Sequence, residues 1–300
     1  MTITEIVAKK LRLFSRRRVV NILDGNYDSI FKGKGLEFNS LRNYIQGDEV
    51  KDIDWRATAR SKDVQTRLYS PLRDHRIVVV ADTSPSMLIS GYSSLNKRDA
   101  LFGLTTVLGF FVKKNRDLLA ICAAKPDGTA VISKFSNSSN HLEQLLRTLD
   151  DSIQKTPPQN SLSIEVLLKH ILKNLRHRAA IFIVSDSFQD PLMLKNILKK
   201  LQIKHQIYYL QLAPSSPFSQ SSVEQMALVD IENNNSWQNE LTTNAALKRE
   251  WGEMLRTYLS NIAAICKSTG TSYGYVDSAE QVPDEIRKLF IQAKRYAKRH

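Results

Sequence analysis

Residues Ile77–Met87 read IVVVADTSPSM: five apolar residues in a row, then a carboxylate, then two serines on either side of a proline. A short apolar run rich in β-branched residues and closed by turn residues has the pattern of a strand buried on both faces. Strands of that kind belong to parallel sheets. Such a strand gains nothing in packing by ending on Asp82, Ser84 and Ser86, so these three oxygen-bearing side chains raise a question of chemistry.

Outward from this stretch the chain alternates between two patterns. Strand-like runs at 77–81, 118–124, 180–184, 206–212 and 272–276 alternate with helical periods at about 97–113, 139–149, 162–175, 191–201, 245–267 and 281–297. That order predicts an α/β fold: a doubly wound, mostly parallel sheet with right-handed crossovers and helices on both faces. The Asp127-Gly128 pair between LLAICAAK and TAVISKF marks a hairpin, which makes one edge strand antiparallel. Trp251, Met254, Leu255, Tyr258, Ile262 and Ile265 recur at three- and four-residue steps and read as the core face of a helix that Gly270 stops. The stretches PSSPFSQSS and ENNNSWQNE read as surface loops around a short strand near Ala227.

The first 74 residues differ in character. Gly25, Gly33, Gly35 and Gly47 and the charged run GDEVKDIDWRATAR show neither helical period nor strict alternation. They predict a small loop-rich element (1–74) packed on the α/β domain (75–300). Within it Asp48, Asp52 and Asp54 lie close in sequence to Arg42, Arg56 and Arg60, which suggests a charge-paired network beside a buried Trp55 that holds the fold.

Composition narrows the class. A chain of 300 residues, 42% hydrophobic and 24% charged, has the make-up of a folded globular protein. The longest nearly apolar stretch, Leu101–Val112, is too short for a bilayer core of about 30 Å and reads as a buried helix. The N-terminus lacks a continuous apolar core and a small-residue cleavage site, so a cytoplasmic chain is expected. Cys122 and Cys266 lack metal spacing and read as buried, reduced thiols. The net charge of +13 gathers near the ends, at Lys9, Lys10, Arg12 and Arg16–Arg18 and again from Arg287 to Arg299. Such ends either attract nucleic acid or an anionic membrane, or form solvated helix faces. The last helix, with Ile286, Leu289, Phe290 and Ala293 on one face, is expected to dock on the sheet.

In an open parallel sheet, ligands bind outside the carboxyl ends of the strands. The D-x-S-x-S spacing lets one tight loop aim Asp82, Ser84 and Ser86 at a common point, a hard-oxygen set suited to Mg²⁺ or Mn²⁺. A second buried strand, IFIVSD, ends at Asp186 and supplies another carboxylate. The plainer alternative is that Asp82 and Ser84 cap the next turn and Asp186 the following helix.

Asp82-Thr83-Ser84-Pro85-Ser86 resembles the metal-ion-dependent adhesion site of von Willebrand factor A (vWA) domains, a family with this same doubly wound sheet. The resemblance implies that Ser84 and Ser86 hold the ion directly, that Asp82 and Asp186 act largely through water, and that a partner's carboxylate completes the site. The family's threonine ligand is absent from KTPPQNSLSIEVLL, where Ser161 is the stand-in, with Asn160 or Ser163 as alternatives.

The N-terminal run sharpens the match. Gly33, Gly35, Glu37, Phe38, Arg42, Tyr44, Gly47, Asp48, Ile53, Asp54, Trp55, Ala59 and Arg60 fit the pattern of the bacterial and archaeal family known as domain of unknown function fifty-eight. That resemblance implies a partner role beside a MoxR-type AAA+ ATPase in maturing client proteins, through a metal-dependent contact with an acidic client and without catalysis. A metal-dependent hydrolase would need a nucleophile or base beside the ion. None of the six histidines sits at a predicted strand end next to either acid.

Overall fold

The structure is a computed structural model that describes residues 36–61, 63–71, 75–88, 95–214, 228–230, 235–237 and 245–297. The basic cluster from Lys9 to Arg18, Gly25, Gly33, Gly35, most of PSSPFSQSS, and Lys298 and Arg299 lie outside the described residues. In chain order the elements are β1 (Leu36–Asn43), α1 (Trp55–Thr58), β2 (Gln65–Pro71), β3 (Arg76–Ala81), α2 (Lys97–Asn115), β4 (Leu118–Ala124) and β5 (Ala130–Ile132). They continue with α3 (Ser139–Lys155), α4 (Ile164–Asn174), β6 (Ala180–Ser185), α5 (Pro191–Gln202), β7 (Gln206–Leu212), β8 (Leu228–Asp230), β9 (Asn235–Trp237), α6 (Ala245–Thr269), β10 (Ser272–Val276) and α7 (Val282–Ala297).

The run that opens at Ile77 is the centre of the molecule. Ile77, Val79 and Ala81 face one cluster, with α2, α3 and α7. Val78 and Val80 face the other, with α4, α5 and α6. All five are fully buried, which is why β3 carries no polar alternation. The six strands of the main sheet lie in the order β10-β7-β6-β3-β4-β5. Five run parallel, and β5 pairs antiparallel with β4 through the turn at Asp127-Gly128, where Gly128 sits at φ +79°. The chain moves from β3 to β4 in one direction and later places β6, β7 and β10 on the other side, so the order reverses between β3 and β6.

Helix ends follow local chemistry. Asp190 accepts from the N–H groups of Leu192 and Met193 and so caps α5, the role that the plainer reading gave to Asp186. Gly270, at φ +73°, closes α6, and the N–H of Thr271 reaches back to Cys266 O at 2.8 Å. On α6, Leu255 and Ile262 are buried as the period predicts, whereas Met254 is 49% exposed and lies off the core. The apolar face of α7 is docked: Ile286, Leu289, Phe290 and Ala293 are buried in the same cluster as α2. Cys122 and Cys266 are buried and free, and burial pushes both thiols up to about 12.

Two expectations for the N-terminal element are corrected. Instead of loops, β1 and β2 form an antiparallel ladder, with Glu37 opposite Ser70 and Arg42 opposite Thr66. A register shift between Phe38 and Ser40 breaks the alternation that would have announced it. Trp55 is 64% exposed, because it opens the single turn α1, which Asp54 caps from Arg56 and Ala57 N–H. Inside the expected loop ENNNSWQNE, β9 pairs with β8.

Candidate functional site

The point of reversal in the sheet is where the two aspartates stand. The Asp82 N–H donates to Val184 O at 2.9 Å, so the β3–β6 ladder runs one residue past β3 and fixes Asp82 beside the end of β6. The chain then leaves the sheet through a 3-10 turn at Pro85–Leu88. Asp186 follows Ser185, the last residue of β6.

Hydroxyls lace the two carboxylates together. Asp82 Oδ1 accepts the N–H of Ser84 at 3.0 Å, and its Oδ2 accepts the hydroxyls of Ser185 and Ser187, each at 2.7 Å. Asp186 Oδ1 accepts the Ser86 hydroxyl at 3.0 Å, and the Oγ atoms of Ser84 and Ser86 lie 2.8 Å apart. Asp82 is 1% exposed and Asp186 3%. The structure thus joins Asp82, Ser84, Ser86 and Asp186 in one crevice.

Ser161 stands elsewhere in the hydrogen-bond pattern. It ends a 3-10 turn at Pro158–Asn160, its N–H donates to Pro158 O at 3.1 Å, and Asn160 is bonded to Pro126 O. Among the described residues no hydrogen bond ties Asn160, Ser161 or Ser163 to the four.

Lys97, which the sequence reading passes over, enters the crevice from α2. Its Nζ donates to Asp186 Oδ2 at 2.5 Å and to Ser86 O at 3.0 Å, and its side chain is wholly buried. The sequence carries only a weak trace of it: a cation in the first turn of a helix opposes the macrodipole, a cost that a nearby acid offsets. Burial pushes the Asp186 carboxyl above its usual range, the Asp82 charge adds to this, and the Lys97 ammonium opposes it. Ser185 and Ser187, also missed as bonded groups, flank Asp186 in the sequence.

Beyond Asp186 the surface turns apolar. Phe188, 45% exposed, packs edge-on against Trp251 and Tyr258 of α6, with ring centroids 5.8 and 4.7 Å away, and Leu192 is 68% exposed.

The signature residues of the N-terminal element pair locally rather than as a buried network. Arg42 Nη2 lies 2.7 Å from Asp48 Oδ1. The N–H of Ile45 holds the Asp48 carboxyl below its usual range, and Arg42 adds to this. Asp54 is paired with Arg67 at 2.9 Å, while Arg60 is exposed and its N–H donates to Ala57 O.

Two carboxylates with hydroxyl oxygens are the donors that Mg²⁺ or Mn²⁺ takes, so the crevice fits such an ion in kind. Among the described residues no group of three or more His, Cys, Asp or Glu gathers as a metal site, and the crevice itself brings together two carboxylates.

A doubly wound sheet that sets Asp-Thr-Ser-Pro-Ser at the end of its central strand, with a second aspartate at the end of the neighbouring strand, defines a vWA-like α/β protein. The chain belongs to the family described as "Protein of unknown function DUF58", whose pattern matches residues 40–257. An uncharacterized protein of Mycobacterium tuberculosis is 22% identical over 263 residues, 87% of this chain and 81% of its own. Among solved structures, the conserved hypothetical protein BatB from Bacteroides thetaiotaomicron is similar over 75% of this chain and 99% of its own, at 15% identity and a TM-score of 0.42. The von Willebrand factor type A structure from Catenulispora acidiphila is similar over 76% and 43%, at 8% identity and a TM-score of 0.39. No helix among the described residues is long and apolar enough to cross a membrane.

Proposed function

We propose that this chain is a protein-interaction module, a cytoplasmic adaptor that presents its crevice to an acidic client protein on behalf of a MoxR-type AAA+ ATPase. The observation that carries the reading is the ring of Asp82, Ser84, Ser86 and Asp186 at the strand reversal, where this sheet architecture places its ligands. The ATPase and the client come from the family resemblance.

The ring's residues hold a position rather than perform a reaction. Ser84 and Ser86 offer hydroxyl oxygens, and Asp82 is oriented by three donors. A bound Mg²⁺ or Mn²⁺ would supply the positive charge that a client's carboxylate requires at this acidic crevice. Phe188 and Leu192 add an exposed apolar border, the composition that protein contacts favour. The reading gives the chain no catalysis of its own. His141 is bonded to Leu119 O, and His205 lies before β7, at the opposite end of the sheet from the crevice.

The test compares the wild-type chain with a Ser84→Ala/Ser86→Ala double variant for binding to the purified ATPase and client, with Mg²⁺ and with chelator. Loss of binding in the variant and in chelator is expected. Binding that survives both in a folded variant would sink the metal-bridged contact.

A further inference from the structure

Lys97 is expensive where it stands. It is the first residue of α2 and only 1% exposed, although an ammonium is strongly hydrated and is rarely buried without a partner. The helix dipole at that end adds to the cost. Its contacts with Asp186 Oδ2 at 2.5 Å and with Ser86 O at 3.0 Å are among those that offset both. These are a carboxylate and a loop of the same ring that would hold a divalent ion.

We infer that Lys97 is an internal cation of the crevice: its ammonium neutralises Asp186 when no divalent ion is bound, and it competes with such an ion for that carboxylate. The inference rests on the reading of the crevice as an ion site. Two cations on one buried carboxylate repel in a medium of low dielectric. Ion binding therefore requires the ammonium to leave Asp186, and the first turn of α2, capped by the Asn96 side chain, is the element that would give way. Affinity at rest is accordingly lowered by the population of the Lys97-bound state. A partner that favours the displaced lysine would raise it.

The experiment measures Mn²⁺ binding to the full chain by the paramagnetic resonance signal of free Mn²⁺, in the wild type and in Lys97→Met and Lys97→Gln variants whose melting by circular dichroism is recorded alongside. Glutamine keeps a donor for Asp186 without the charge, and so serves if the methionine variant fails to fold. The folded variants are expected to bind Mn²⁺ at least about tenfold more tightly than wild type, a change of about 1.4 kcal/mol. Adding Asp82→Asn should remove the gain, which places it at the crevice. Equal binding by wild type and variants overturns the inference while leaving the crevice an ion site. Tight binding by the variants alone upholds it and removes metal dependence from the wild-type function, and absence of binding in all of them overturns both.

Discussion

The Tyr258 hydroxyl, on α6, accepts a 2.7 Å hydrogen bond from the backbone N–H of Gln189, three residues beyond Asp186. The bond ties the longest helix to the loop that carries half of the crevice. Tyr258→Phe leaves that buried N–H without its acceptor and should cost about 1–3 kcal/mol in a denaturant titration. An unchanged midpoint would show that the loop finds another acceptor.

Ser84 and Ser86 are not the exposed hydroxyls that their place at a strand mouth suggests. Ser84 is 6% exposed and Ser86 is bonded to Asp186. The double alanine variant loses two hydrogen bonds and should be less stable by about 2 kcal/mol while still folding, because Lys97 continues to hold Asp186. Circular dichroism melting decides, and a change under about 0.5 kcal/mol would mean that water replaces the hydroxyls.

For the N-terminal element, Arg60→Ala should leave the denaturant midpoint at its wild-type value, because Arg60 is exposed and Arg67 is the partner of Asp54. Asp54→Ala should lower the midpoint more than Arg67→Ala, since it removes the cap of α1 as well as the pair. The Ala57 N–H, and after it Arg67, holds the Asp54 carboxyl below its ordinary value of 3.8. Its contribution is therefore present above that value and is lost as pH falls through the lower, folded one. The wild type and Asp54→Ala should converge in acid. A gap that persists there would assign the effect to something other than the carboxylate.

His205 provides a pH effect of its own. Burial, with Lys204 and Arg178 adding to it, lowers its imidazole from 6.5 to about 4. The unfolded chain takes up the proton first, so stability falls as pH drops from 6.5 toward 4. Solvent screening at the start of β7 reduces the effect from the full shift to roughly 1–2 kcal/mol. The stability difference between wild type and His205→Gln should shrink by that amount from pH 7 to pH 4, and a constant difference would remove His205 as the cause.

How much the sequence reveals depends on whether one interaction dominates each segment. Strands β3, β4, β6 and β7 are legible because burial on both faces leaves each a largely apolar run, and Asp82 and Asp186 are legible because they close two of them. Helix α3 runs past its expected end at 149: Asp150 and Asp151 pair with Arg98 and Lys155 while Ile153 returns to the core. The ladder of β1 and β2 is hidden by its bulge. Lys97 is hidden for another reason: its partner lies 89 residues away, and a lysine before an apolar helix looks like any solvated charge.

The two halves of the crevice hang from the sheet differently. The Asp82 amide is the last rung of the ladder between β3 and β6, whereas the following loop is held by a turn bond from Met87 N–H to Ser84 O. Amide hydrogen exchange should separate them, with Asp82 exchanging only as the whole sheet opens and Met87 through small local excursions. The acid is then a stationary anvil, and the serine loop keeps its place through side-chain bonds to Asp186 rather than through the sheet.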